Sequence, residues 1–251
     1  MSQPFRGDLR RAVGRIARRL VHARRLWRDD RFTARGIELL VPRGVCHPLM
    51  VGSSGFFLRT AGPMIAPGQR VLVLDCGAGL DVVGAATRGA LVTGRDLDPR
   101  AVEATRANLE RAGLPGAVQV GDGLGGGPWD LVLWNPEDPT RLEALLGALP
   151  EALGERGRLV LGAQAGSTTR DRALRALPDE FRMVQLARDL GLLARYEVLS
   201  LGFDFEAARV RRHAERRRSS EAKAAVSRRR WESGETDASA EEIDRVMEQT
   251  P

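Results

Sequence analysis

Apolar and polar positions repeat with two different periods along this chain, and the change of period marks its organisation. Near the start, Leu9, Val13, Ile16, Leu20, Ala23 and Trp27 recur every three or four residues, the spacing of one helix face. Arg10, Arg11, Arg15, Arg18, Arg19, Arg25 and Arg28 fall largely off that stripe. The spacing predicts a basic amphipathic helix over residues 6–30. Residues 36–60 hold several glycines and prolines and read as a turn-rich connector.

From Arg70 onward, short apolar runs alternate with helical stretches. VLVLD (71–75), ALVTGRD (90–96), AVQVGD (117–122), DLVLWN (130–135) and RLVLGA (158–163) read as strands. Their short length and apolarity are those of buried parallel strands. Residues 81–89, 99–112 and 142–153 fill gaps as helices, with Pro99 in a first turn and Gly113 just past an end. Such alternation makes a parallel sheet with right-handed crossovers. Residues 181–191 and 194–205 are expected to form a terminal antiparallel hairpin turning at Gly191. The expected fold class is therefore α/β. Past residue 206 the periodicity is lost, and a charged tail that is frayed or disordered is expected. Three segments result: 1–60, a basic helix and connector; 61–206, the α/β domain; and 207–251, the tail.

Composition bounds the picture. The 251 residues are 43% hydrophobic and 29% charged, enough for a sizeable core. No run approaches the roughly 18 apolar residues that cross a bilayer, and the arginine-rich start lacks the apolar core of a secretion signal. Cys46 and Cys76 are too few and too isolated for a disulfide framework or a zinc site. A reducing, cytoplasmic setting without metal or membrane contact is expected. The net charge of +6 is uneven: residues 6–31 and 209–230 are basic, and 232–248 mostly acidic. Arginine clusters bind phosphates in a salt-sensitive way, although such a run also occurs as an ordinary solvated face. At 5% aromatic residues, base stacking is limited.

The residues able to do chemistry gather where strands end. The first βα turn reads Asp75-Cys76-Gly77-Ala78-Gly79-Leu80-Asp81. Its glycines let a ligand approach the backbone, and the helix start beyond offers free N–H groups. The third glycine of GxGxxG is missing, which argues against a dinucleotide site. Asp96 and Asp98 end the second strand, Asp122 with Gly123 and Leu124 the third, and Asn135-Pro136 the fourth. Ligands of open α/β sheets bind along this edge. Each feature also has a structural alternative: a tight turn, a helix cap, a strand terminator.

VLVLDCGAGLD resembles the first motif of class I S-adenosylmethionine-dependent methyltransferases, acid-x-Gly-x-Gly-x-Gly, with Asp81 in place of the last glycine. The resemblance implies a Rossmann-like seven-stranded sheet with its last strand antiparallel, and S-adenosylmethionine as cofactor. It places Asp75, Gly77 and Gly79 around the methionine part, Asp96 and Leu97 at the ribose, and Asp122 with Gly123 at the adenine. Asp98 becomes a helix cap, while Asp81 either caps the next helix or faces the cofactor's ammonium. Trp134-Asn135-Pro136-Glu137 resembles the Asn-Pro-Pro-aromatic motif of amino-group methyltransferases. Asn135 and the Pro136 carbonyl are then the catalytic pair, two fixed acceptors that orient a substrate NH₂. Glu137 and Asp138 depart from that motif, so a stacking surface is missing or comes from Trp134, Phe56 or Phe57. Those carboxylates suit a cationic amine or guanidinium better than a neutral base.

Residues 38–48 are similar to the segment preceding the fold in the "small domain" group, which includes release-factor glutamine and ribosomal RNA guanine N2 methyltransferases. The expected activity is methyl transfer to a nitrogen of RNA, or of a protein side chain, in the translation machinery. The basic helix and tail would contact that partner. Three alternatives stay open: a small-molecule N-methyltransferase, a non-catalytic cofactor-binding protein, and a nicotinamide-dependent oxidoreductase. His47 is expected to be non-catalytic, and Cys76 a packing residue.

Overall fold

A computed structural model of the chain describes residues 28–34, 36–48, 54–136, 140–164, 169–179, 181–189, 196–204 and 221. The chain divides into two units, Met1–Phe203 and Asp204–Pro251, and every strand among the described residues belongs to the first. The basic helix expected over 6–30 lies outside the described residues up to position 27. Its last positions are not helical, because Arg28 and Asp29 lead into a strand.

That strand, β1 (Asp30–Ala34), pairs antiparallel with β2 (Ile37–Val41) across a turn at Gly36. The connector read as turn-rich, residues 36–60, therefore opens on the second strand of a hairpin. Ile37, Leu39 and Val41 alternate inward while Glu38 points out, the period of a half-buried strand. A helix, α1 (Ser54–Ala61), follows and buries Phe57 and Leu58.

The main sheet is built from β3 (Arg70–Leu74), β4 (Leu91–Asp96), β5 (Ala117–Val120), β6 (Trp129–Trp134), β7 (Leu153–Gln164), β8 (Phe181–Asp189) and β9 (Tyr196–Phe203). Its order is β5-β4-β3-β6-β7-β9-β8. The first five strands run parallel, and β9 lies antiparallel between β7 and β8. The expected terminal hairpin thus forms, with its turn at Gly191 outside the described residues.

The unbroken apolar strands follow from burial on both faces. Val71, Val73, Leu131 and Leu133 pack under α1, α2 (Leu80–Ala86) and α3 (Pro99–Arg111). Their neighbours Leu72, Leu74, Val132 and Trp134 pack on the opposite face against α4 (Leu142–Gly147), α5 (Leu149–Ala152) and α6 (Thr169–Ala176). The single helix expected over 142–153 is split after Gly147. Pro150 removes an N–H where one helix would need it, and Leu153 already belongs to β7. Among the described residues no helix is long and apolar enough to cross a membrane.

Candidate functional site

The turn after β3 is held in an unusual shape. Asp75 adopts φ 52° and the following Gly77 and Gly79 adopt φ 55° and 93°. A left-handed aspartate is strained by the order of 1 kcal/mol, so the surroundings must enforce it. Trp134 Nε1 donates to Asp75 Oδ2 at 2.7 Å, and Arg141 Nη2 donates to Oδ1 at 2.5 Å. Further along, Gly77 N–H donates to Asp96 Oδ2 at 2.9 Å. From α3, Thr105 Oγ1 donates to the Gly77 carbonyl at 2.9 Å. Asn108 Nδ2 donates to the Ala78 carbonyl at 2.9 Å and to the Leu40 carbonyl at 2.8 Å, while its Oδ1 accepts from Leu40 N–H at 2.9 Å. One buried amide thereby ties the glycine turn to the N-terminal hairpin.

At the end of β4, Asp96 accepts from two backbone N–H groups, Gly77 on Oδ2 and Asp98 on Oδ1. Burial raises its carboxyl above the ordinary range, against the pull of those N–H donors. Asp98 caps α3, as expected: its Oδ1 accepts from Arg100 N–H at 3.0 Å. The Arg100 side-chain hydrogen bonds hold its carboxyl below the usual range. Asp81 does not cap α2, whose N-cap is Gly79 without any side-chain bond. Instead Asp81 sits one residue into the helix; its Oδ1 is shielded and has no hydrogen-bond partner among the described residues. Burial alone pushes its carboxyl up to about 7.

These elements enclose a pocket of about 420 Å³, a size typical of small-molecule sites. Of the residues singled out from the sequence, Asp75, Cys76, Gly77, Asp81, Asp96, Leu97 and Asn135 line it. Leu97 is 57% exposed there. Gly79, Asp122, Gly123 and Pro136 are not part of its wall. Asp122 is linked to it through Arg141, whose Nη1 lies 2.9 Å from Asp122 Oδ2. Leu124, which follows Asp122 and Gly123, is buried in the core. Trp134 and Phe57 are fully buried as well, which removes them as stacking surfaces; Phe56 is partly accessible. Glu137 and Asp138 lie outside the described residues.

Cys76 is buried, and burial pushes its thiol up to about 12, so it stays protonated and packs. His47 is buried edge-on to Phe32, with Nε2 3.4 Å from Asp30 Oδ2. Sequence reasoning missed Arg141, Asn108, Thr105 and the pocket wall at Cys46, Pro48 and Ser54. Asn108 had a signal: a polar residue on the apolar stripe of α3, beside Val102 and Leu109. Arg141 had none, since a lone arginine after a proline-containing loop has no spacing to read.

No protein-family model matches the chain. Several curated relatives match part of the chain. It is 37% identical over 107 residues to ribosomal RNA small subunit methyltransferase C of Chromohalobacter salexigens, covering 39% of this chain and 32% of that protein. Against protein-L-isoaspartate O-methyltransferase of Methylorubrum populi it is 34% identical, covering 51% and 58%. Against ribosomal protein L11 methyltransferase of Ralstonia pickettii it is 37% identical, covering 39% and 33%. The chain thus spans between about a third and three fifths of the length of these relatives. Among solved structures, a T. thermophilus 16S rRNA N2-guanine methyltransferase in complex with AdoMet and guanosine superposes with a TM-score of 0.57. It is 18% identical, covering 70% of this chain and 50% of that one. The fold is the class I, Rossmann-like methyltransferase fold.

Proposed function

We propose that this chain is an S-adenosylmethionine-dependent methyltransferase that modifies a nitrogen of RNA, or of a protein side chain, in the translation machinery. The observation that carries the reading is the meeting of Gly77, Asp96 and Asn135, from the ends of β3, β4 and β6, in one pocket. The donor set fits the cofactor: a glycine turn open to close approach, and a carboxylate pair of oxygens at the β4 end with lone pairs to spare.

In this reading Asp96 accepts from the ribose hydroxyls and Leu97 covers the nucleoside. Asp122 and Gly123 meet the adenine edge, with Arg141 fixing the Asp122 carboxylate. Gly77 and Gly79 make room for the amino-acid end beside Asp75. Asn135 and the Pro136 carbonyl orient the substrate amino group, and positioning of this kind supplies much of a transfer rate. The cofactor supplies an electrophilic methyl group on sulfur. Residues 61–206 would hold it, flanked by substrate-side segments 1–60 and 207–251 in a cytoplasmic protein. The relatives named for ribosomal RNA and ribosomal protein L11 support a translation substrate. The isoaspartate O-methyltransferase relative defines the competing outcome, a carboxyl oxygen.

Labelled methyl transfer into separated RNA, protein and metabolite fractions tests the reading. N-methylated RNA or protein is expected. Methyl on oxygen or carbon overturns the nitrogen target, and label confined to metabolites overturns the macromolecular one. Replacing Arg15, Arg18 and Arg19 by serine should flatten the salt dependence of substrate binding while cofactor binding persists.

A further inference from the structure

The pocket contains more acid than its own cation can answer. Arg141 is the one cation in the pocket wall among the described residues, and it is engaged by Asp75 and Asp122. Asp96 is engaged by the N–H groups of Gly77 and Asp98. Asp81 alone keeps a shielded oxygen without a partner among the described residues, and it lines the same pocket. It does not cap its helix, so a local structural use does not account for it. Buried polar atoms left unsatisfied are costly and call for a partner that arrives from outside.

We propose that Asp81 is the receptor for the α-ammonium group at the amino-acid end of the bound cofactor, making it a specificity-determining residue. The inference rests on the proposed cofactor site and deepens it. Two cationic groups of S-adenosylmethionine are available to a carboxylate, and hydrogen bonding chooses between them. A sulfonium has no N–H to give, whereas an ammonium offers three donors and satisfies an acceptor oxygen directly. Asp75, the acid that the first motif places nearby, is already ion-paired with Arg141 and hydrogen-bonded by the Trp134 indole. The chain that lacks a glycine at position 81 thus gains the free carboxylate that its pocket needs.

Calorimetry with S-adenosylhomocysteine and 5′-methylthioadenosine tests this on the full chain. The first has the ammonium, the second lacks the amino-acid end, and neither has a sulfonium. In Asp81→Asn, affinity for S-adenosylhomocysteine should fall about ten- to a hundredfold, the range of a lost charged hydrogen bond, with methylthioadenosine unchanged. An unaltered ratio between the two ligands overturns the proposal. Failure of the unmodified protein to bind either ligand overturns the cofactor reading itself. Should the variant not fold, the unmodified protein decides. Its preference for S-adenosylhomocysteine over the desamino analogue, which differs only in the ammonium, should grow from pH 6 to pH 8. A flat preference overturns the proposal. The other titratable or charged groups in the pocket wall are Asp75, Asp96, Cys46, Cys76 and Arg141; the desamino comparison cancels their effect on the shared nucleoside.

Discussion

Trp134 Nε1 donates to Asp75 Oδ2 at 2.7 Å, which fastens the end of β6 to the end of β3. The bond joins a fully buried core side chain to the first acid of the pocket. Core packing therefore sets the shape of the turn. Trp134→Phe keeps most of the apolar contact but removes the donor, leaving Asp75 in its left-handed conformation with one bond fewer. Loss of one charged hydrogen bond plus a small cavity should cost about 2–4 kcal/mol of stability. Urea titration of the two proteins checks this; an unshifted midpoint would mean that the turn holds its shape without the indole.

Asn108 offers a second lever, from the other side of the turn. Its amide satisfies Leu40 N–H, the Leu40 carbonyl and the Ala78 carbonyl, and its side chain is buried. Asn108→Ala strands three backbone groups at once, each worth roughly 1 kcal/mol or more when buried. The hairpin and the following segment should loosen first. Limited proteolysis near residues 42–48 should quicken, and equal cleavage rates would contradict the clamp.

The strands, the order of the acids and Asn135 were legible because burial on both faces writes itself as short apolar runs, and ligand edges write themselves as acids after those runs. VLVLD and DLVLW needed no further context. What escaped was set by tertiary contact. The hairpin at 30–41 hid because only three of its described positions are buried, among neighbours rich in turn residues. Helix α6 hid because Thr169–Ala176 buries only Thr169 and Ala173, too narrow a stripe to read. The ion pairs of Arg141 join residues 66 and 19 positions away, a relationship that no local pattern carries. Trp134 stays open as a stacking surface in the sequence, beside Phe56 and Phe57, because its burial depends on α4 and α6 closing over it.

Asp96 braces the turn and is also the acceptor proposed for the ribose. Replacing it with alanine removes the acceptor for Gly77 and Asp98 N–H as well as the acceptor proposed for ribose. Affinity for S-adenosylmethionine should weaken by on the order of 1–3 kcal/mol, with a loss of stability beside it. Calorimetry and thermal melting separate the two effects. Retained affinity would remove Asp96 from the ribose site.

The Asp81 carboxyl gives the ligand-free protein a particular dependence on pH. Its ionisation is pushed up to about 7 from the ordinary value of 3.8 by burial, so between those limits the folded chain holds a proton that the unfolded chain releases. Linkage then requires the associated stability to be complete below about pH 4 and lost as pH rises through about 7. Asp81→Asn cannot titrate and should lack this trend. The melting temperature of the unmodified protein relative to the variant should therefore decline from pH 5 to pH 8. Parallel profiles would show that the carboxyl titrates as it does in water.

Gly162 in β7 leaves the space that Asn135 occupies. A Cβ added at Gly162 would overlap Asn135 Oδ1 and come within 3.3 Å of Phe57 Cδ2. Phe57 is fully buried and has no room to withdraw, so Asn135 must move. Gly162→Ala should thus displace the amide proposed to orient the substrate, at an overpacking cost of about 1–3 kcal/mol. Cofactor affinity should change little, since Gly162 is not in the pocket wall. If Gly162 acts by making space for Asn135, the two substitutions report one event. Turnover in Gly162→Ala, Asn135→Ala and the double variant should then be similar, a strongly non-additive set. Losses that multiply in the double variant would instead assign Gly162 an independent effect on the strand. Full turnover in Gly162→Ala would show that Asn135 works from a position other than the one over β7.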